Sequence, residues 1–110
     1  MLNIRETMSA EERIWRLQGD MTIYTVQSLQ DAVKKLEAEP KQMTVDLAEV
    51  TAIDTTGIQM LIRLKRHLSS RGGELRLVKH SDPVAQVFDL LGLVGYFGDP
   101  MVIHSAEGRT

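Results

Sequence analysis

Cysteine is absent from the 110 residues, which excludes disulfides, thiol nucleophiles and thiolate-bound zinc and leaves the redox compartment open. Charge of one sign is missing as well. Thirteen Lys and Arg stand against fifteen Asp and Glu, for a formal net charge of -2, so nothing electrostatic draws the chain to nucleic acid or to an anionic membrane. Apolar stretches are short and broken by charge, far below the ~20 residues that cross a bilayer. The opening MLNIRETMSAEER holds no apolar run that could serve as a secretory signal. A cytoplasmic location without membrane insertion is the expectation. No internal repeat, low-complexity tract or domain linker is visible either.

What is present suits one globular domain. Hydrophobic residues make up 43% and charged residues 25% of the chain, ordinary values for a folded protein. Folding should leave roughly 6,000 Å² of surface against about 18,000 Å² for the extended chain, enough burial for a core without staples. The domain is expected to span residues 1–105, with 106–110 as a disordered tail.

Apolar runs alternate with helical patterns along the sequence. Leu2 and Ile4 alternate with polar neighbours over 1–7, and Trp15 and Leu17 share a face over 13–18; both patterns predict strands, joined by a turn over 8–12. Gly19-Asp20 is read as the end of the second strand. From Thr25, the residues Val26, Leu29, Val33 and Leu36 recur at helical spacing until Pro40. Met43, Val45 and Leu47 then alternate, and Val50 and Ile53 carry the chain to Asp54. Ile58, Leu61, Ile62, Lys65 and Leu68 trace a second helix, stopped by S-S-R-G-G. Leu75, Leu77 and Val78 form a strand, Ser81-Asp82-Pro83 opens a helix carrying Val84, Val87, Phe88 and Leu91, and Gly92 closes it. A last strand is predicted over 101–104. The order is β-β-α-β-α-β-α-β. Strands alternating with helices demand crossovers and a helix-covered sheet, so the fold class is α/β: a small sandwich with a mixed, mostly parallel sheet of about four to five strands, three to four helices on one face and the first hairpin at an edge.

Two stretches are candidate sites. Asp54-Thr55-Thr56-Gly57 joins the central strand to the second helix, where free amides and the helix dipole favour an anion. Gly57 would let another backbone come close. The plainer account is that Asp54 and the threonines cap the helix. Gly19 to Thr25 connects a strand to the first helix and could lie on the same rim. Ile23 and Tyr24 there suit a docking surface, or else Thr25 caps the helix and Ile23 staples against it. His67, His80 and His104 have no ligand-like spacing, so no metal is expected. There is no G-x-S-x-G elbow and no G-x-G-x-x-G loop. The six methionines read as core filler. No catalytic site and no cofactor are expected.

V-D-L-A-E-V-T-A-I-D-T-T-G-I-Q-M-L, then R-G-G-E-L-R-L-V and F-D-L-L-G-L-V-G-Y-F, together resemble the STAS domains typified by bacterial anti-sigma factor antagonists. The resemblance runs from about Leu2 to Ile103. It implies a non-catalytic regulatory binding protein. In such antagonists an anti-sigma factor that is also a serine/threonine protein kinase, of the histidine-kinase-like ATPase fold, phosphorylates the hydroxyl just before the glycine, and a phosphatase resets the switch. Carried onto this chain, that hydroxyl is Thr56, with Thr55 as the alternative. The implied contact surface is Thr22, Ile23 and Tyr24 with Asp54, Thr55, Thr56, Gly57, Ile58 and Gln59. Where such antagonists often carry G-E-L-D, this chain has G-D-M-T, with Thr22 in place of the acidic residue. G-x-x-T-I-Y-T with D-T-x-G-I-Q looks more like STAS proteins that accompany chemotaxis and sensory gene sets. A second resemblance is to stand-alone STAS subunits of ABC lipid transporters, which imply a transporter ATPase as partner.

Overall fold

The structure is a computed structural model, and it describes residues 1–9, 12–35 and 41–97. Its elements run β1 (Leu2–Met8), β2 (Glu12–Met21), α1 (Val26–Lys34), β3 (Gln42–Ile53), α2 (Thr55–Ser69), β4 (Glu74–Val78), α3 (Asp82–Leu91) and α4 (Val94–Phe97). The four strands form one sheet in the order β1-β2-β3-β4. The β1–β2 hairpin is antiparallel, whereas β2–β3 and β3–β4 are parallel. Each parallel pair needs a crossover, supplied by α1 and then by α2.

Register places the core. Trp15 lies beside Val45 and Val45 beside Leu77, while Met43 lies beside Leu75, so these side chains share one face of the sheet. All are buried there with Leu29 of α1, Leu61, Leu64 and Leu68 of α2, and Val84 and Phe88 of α3, in one cluster. The fold is the expected α/β sandwich.

The other face is polar and belongs to Thr44, Asp46, Arg16 and Arg76. At the centre of β3 it too is closed over, for Thr44 and Asp46 are buried. The Thr44 hydroxyl donates to Glu12 Oε2 at 2.8 Å. Asp46 Oδ1 accepts from the Ala48 amide at 2.9 Å. Its Oδ2 lies 3.8 Å from Arg16 Nε and 3.9 Å from Lys79 Nζ.

Several boundaries depart from expectation. Strand β2 does not end at Gly19-Asp20 but continues to Met21. Gly19 has φ +112°, and the register with β3 shifts between Gly19 and Asp20. Only a residue without Cβ passes easily through that conformation, and a Cβ would strike the Met1 carbonyl. The glycine therefore bends the strand instead of stopping it. The one-turn helix α4 is within the three to four helices expected, but the sequence does not place it, because V-G-Y-F is too short to show a period. The described methionines divide: Met21, Met43 and Met60 are buried, but Met1 and Met8 are exposed at the hairpin strand's two ends. Leu36, Pro40, the strand predicted over 101–104, His104 and the 106–110 tail lie outside the described residues.

Candidate functional site

Parallel strands β2 and β3 end side by side, with Met21 paired to Ile53. Each then turns into a helix at the same rim, and this brings the two candidate stretches together. The Asp54 amide donates to the Met21 carbonyl at 3.2 Å. Helix α2 starts immediately above that carbonyl. A Cβ on Gly57 would collide with the Met21 carbonyl oxygen and stand 2.9 Å from Ile53 Cγ1 and 3.0 Å from Met21 Cβ. Glycine is required there for space, as the sequence suggested.

Asp54 holds both sides of the rim. Its Oδ1 accepts from the Gly57 amide at 3.1 Å, the capping bond of α2. Its Oδ2 accepts from the Ile23 amide, also at 3.1 Å. Burial pushes the carboxyl's pKa up, but backbone amides of Gly57, Ile23, Thr56 and Asp54 itself together outweigh it and hold the group below its ordinary value.

The 22–25 turn is wired by two threonines. The Thr22 amide donates to Thr25 Oγ1 at 3.0 Å, and the Thr25 hydroxyl donates to the Asp20 carbonyl at 2.6 Å. Tyr24 N donates to Thr22 Oγ1 at 3.3 Å. Thr25 thus occupies the N-cap position of α1 without making a side-chain cap bond, because its hydroxyl is already engaged by the turn. Ile23 does not staple to the helix. It is 63% exposed and Tyr24 93% exposed, so the turn presents two large apolar side chains to solvent.

Of the remaining expected site residues, Thr55 and Gln59 are exposed, and Thr56 and Thr22 half-buried. Ile58 is 3% exposed and Gly57 is buried. Ile58 therefore supports the surface from the core instead of forming part of it, since its position one turn into α2 falls on the sheet-facing stripe. Sequence reasoning passed over Thr51, whose hydroxyl donates to Asp20 Oδ1 at 2.6 Å and braces the end of β2 against β3. A threonine paired across parallel strands leaves no local sequence signal. Among the described residues no group of three His, Cys, Asp or Glu side chains is arranged to hold a metal ion. His80 packs edge-on against Phe88 at 5.2 Å between ring centroids, and no described helix is long and apolar enough to cross a membrane.

Comparison with known proteins agrees with this architecture. The family model described as "Mlab, STAS domain" matches residues 4–103. The anti-sigma-B factor antagonist of Staphylococcus aureus (strain NCTC 8325 / PS 47) is 25% identical over 93 residues, covering 84% of this chain and 86% of that protein. Among solved structures, the unphosphorylated anti-sigma factor antagonist SpoIIAA superposes with a TM-score of 0.74 at 19% identity, covering 96% of this chain and 97% of that one. An anti-sigma factor antagonist from Mycobacterium paratuberculosis gives a TM-score of 0.79 at 18% identity, covering 90% of this chain and 85% of that one. A sheet of this order, a glycine-tight turn into α2 and a family match across nearly the whole chain lead to one assignment: the protein belongs to the STAS domain family.

Proposed function

We propose that this domain is a non-catalytic binding module, an anti-sigma factor antagonist-like partner switch that docks through the rim formed by Thr22, Ile23, Tyr24, Thr55, Thr56 and Gln59. The observation that carries the reading is the exposed Ile23–Tyr24 pair held beside a hydroxyl-bearing helix start. Exposed aromatic and aliphatic side chains on a braced turn supply apolar contact with little ordering cost. The named function of the relatives supplies the partner class: an anti-sigma factor, which in this reading is also a serine/threonine kinase of the histidine-kinase-like ATPase fold.

Thr56 is the modified residue in this reading, with Thr55 as the alternative. Its Oγ1 attacks the γ-phosphorus of kinase-bound ATP; the O–P bond forms, the bond to the β-γ bridging oxygen breaks, ADP leaves and the hydroxyl proton passes to a base of the kinase. The ester brings a charge of about -1.5 to -2 at neutral pH. A docked partner must desolvate that charge beside Asp54. An interface penalty of only ~3 kcal/mol weakens binding more than a hundredfold. A phosphatase returns the hydroxyl by hydrolysis, and both forms keep the fold.

The test is affinity capture from source-cell lysate with wild type beside Thr56→Glu, followed by titration of the purified partner. The expected result is a histidine-kinase-like ATPase retained by wild type, with affinity at least a hundredfold lower for the variant. Equal affinity of the two would overturn the switch. Recovery of an ABC transporter ATPase would replace the anti-sigma partner with the transporter reading.

A further inference from the structure

Building on the reading of Thr22–Tyr24 and Thr55–Gln59 as one docking surface, we infer that Asp54 is the positioning residue that couples its two halves. Negative charge placed on Thr56 reaches the Ile23–Tyr24 turn through it. The effect of modification is then to move an apolar contact as well as to add charge.

The wiring of the rim points to this coupling. Inside the 22–25 turn the bonds are local: the Thr25 and Val26 amides donate to the Thr22 carbonyl at 3.0 and 2.9 Å, and Tyr24 N to Thr22 Oγ1 at 3.3 Å. These bonds set the shape of the turn but do not fix where it sits relative to α2. The Ile23 amide reaches across the rim to Asp54 Oδ2 at 3.1 Å, between residues 31 apart in sequence. The other oxygen of the same carboxylate holds Gly57 N at 3.1 Å. One anion thus grips an amide from each half.

A second anion on Thr56 sits two residues along and competes for the same donors. First-turn amides are good partners for a phosphate, and like charge repels the carboxylate. The stretches 18–26 and 48–62 carry Asp20, Glu49 and Asp54 but no Lys, Arg or His, so no cation within them absorbs the added charge. Of the bonds Asp54 makes, the one to Ile23 yields first. Its donor belongs to a turn that keeps its own internal bonds and whose Ile23 and Tyr24 side chains are solvent-exposed. The turn stays anchored at its base by the Thr25 hydroxyl on the Asp20 carbonyl and the Asp54 amide on the Met21 carbonyl. Its tip can therefore swing without opening the core, and Ile23 and Tyr24 then move away from the start of α2.

Amide hydrogen exchange by NMR on the free full-length chain tests this without any partner. Asp54→Ser keeps an oxygen that can cap Gly57, but it cannot reach Ile23 as well. Exchange at Ile23 should accelerate about tenfold, the scale of one hydrogen bond to a charged group, while Leu61 in α2 keeps its protection. Thr56→Glu should accelerate Ile23 exchange in the wild-type background and add nothing in the Asp54→Ser background. Unchanged Ile23 exchange in Asp54→Ser, or an equal Thr56→Glu effect in both backgrounds, overturns the inference. Should Asp54→Ser loosen α2 itself, Asp54→Asn serves in its place, because its amide keeps one acceptor for Gly57 while presenting a donor to Ile23. A failure here leaves docking through the rim intact, and a failure of partner capture leaves the coupling intact.

Discussion

Strand β3 carries Asp46 within its length and is followed at once by Asp54, and the two carboxylates are held in opposite ways. Asp46 lies on the polar face of the sheet with Arg16 Nε at 3.8 Å and Lys79 Nζ at 3.9 Å from Oδ2. Asp54, at the rim, takes its bonds from the amides of Gly57 and Ile23. Cations on flexible side chains follow a carboxylate wherever it sits, so the ion pairs of Asp46 stabilise without fixing how distant segments lie. Backbone amides cannot follow, so Asp54 fixes the geometry of two chain segments. Asp46 also accepts from an amide, but that of Ala48 only two residues on, so its backbone bond is local. The amides on Asp54 come from two chain segments, one of them 31 residues away. The better-neutralised aspartate serves stability and the bridging one serves shape.

The sharpest way to break the rim is steric. Gly57→Ala drives a Cβ into the Met21 carbonyl, and neither backbone can retreat without separating α2 from the end of β2. We expect a loss of about 3 kcal/mol, measured by urea denaturation. A loss under about 0.5 kcal/mol, the scale of an ordinary surface substitution, would mean that the rim is softer than its packing implies. Next in size is Asp46→Ala, which leaves the Ala48 amide of a half-closed site without its acceptor and the cations of Arg16 and Lys79 unopposed. Because the Arg16 side chain is about half exposed and that of Lys79 mostly exposed, the expected cost is about 2 kcal/mol, below that of a fully buried pair. Asp46→Asn should recover part of it through the Ala48 bond. A chain that tolerates both substitutions equally would assign the whole effect to charge instead of the backbone bond.

These two aspartates also mark what a sequence can disclose. The cap made by Asp54 was legible, because a capping carboxylate and its amide lie three residues apart and helix starts have a local signature. So was the need for Gly57, and so was the gathering of 19–25 with 54–57, which follows from parallel strands ending at one rim. The Asp54–Ile23 bond was not legible, since its partners are 31 residues apart and backbone donors carry no residue signature. Asp46 was hidden for a related reason. In V-D-L it reads as the polar half of a strand alternation, whereas it is buried and its ion-pair partners, Arg16 of β2 and Lys79 beyond β4, come from distant segments. Gly19 misled because glycine marks both strand ends and strand bulges, and only the Met1 carbonyl passing beside it decides between them. Ile58 was assigned to the surface with its neighbours in the motif, although its helical position turns it inward.

Acid offers the finest test of the contrast, because it removes the Asp54 charge while leaving its side chain in place. The amides that grip this carboxylate hold its pKa below the ordinary value of 3.8 despite the opposing effect of burial. A carboxyl whose folded pKa is depressed stabilises the fold fully above its unfolded pKa and loses that contribution as pH falls through the folded pKa. Asp54→Ala should therefore cost about 1 kcal/mol at neutral pH, the scale of a lost helix cap. The gap between variant and wild type should stay constant down to the ordinary carboxyl range and narrow only below it. Paired urea titrations at pH 7 and at successive points below 3.8 would read the narrowing directly. A gap that persisted undiminished at the lowest pH would mean that the neutral acid caps α2 as well as the anion does. Amide gripping would then owe nothing to charge, and the distinction drawn between the two aspartates would reduce to one of hydrogen-bond count.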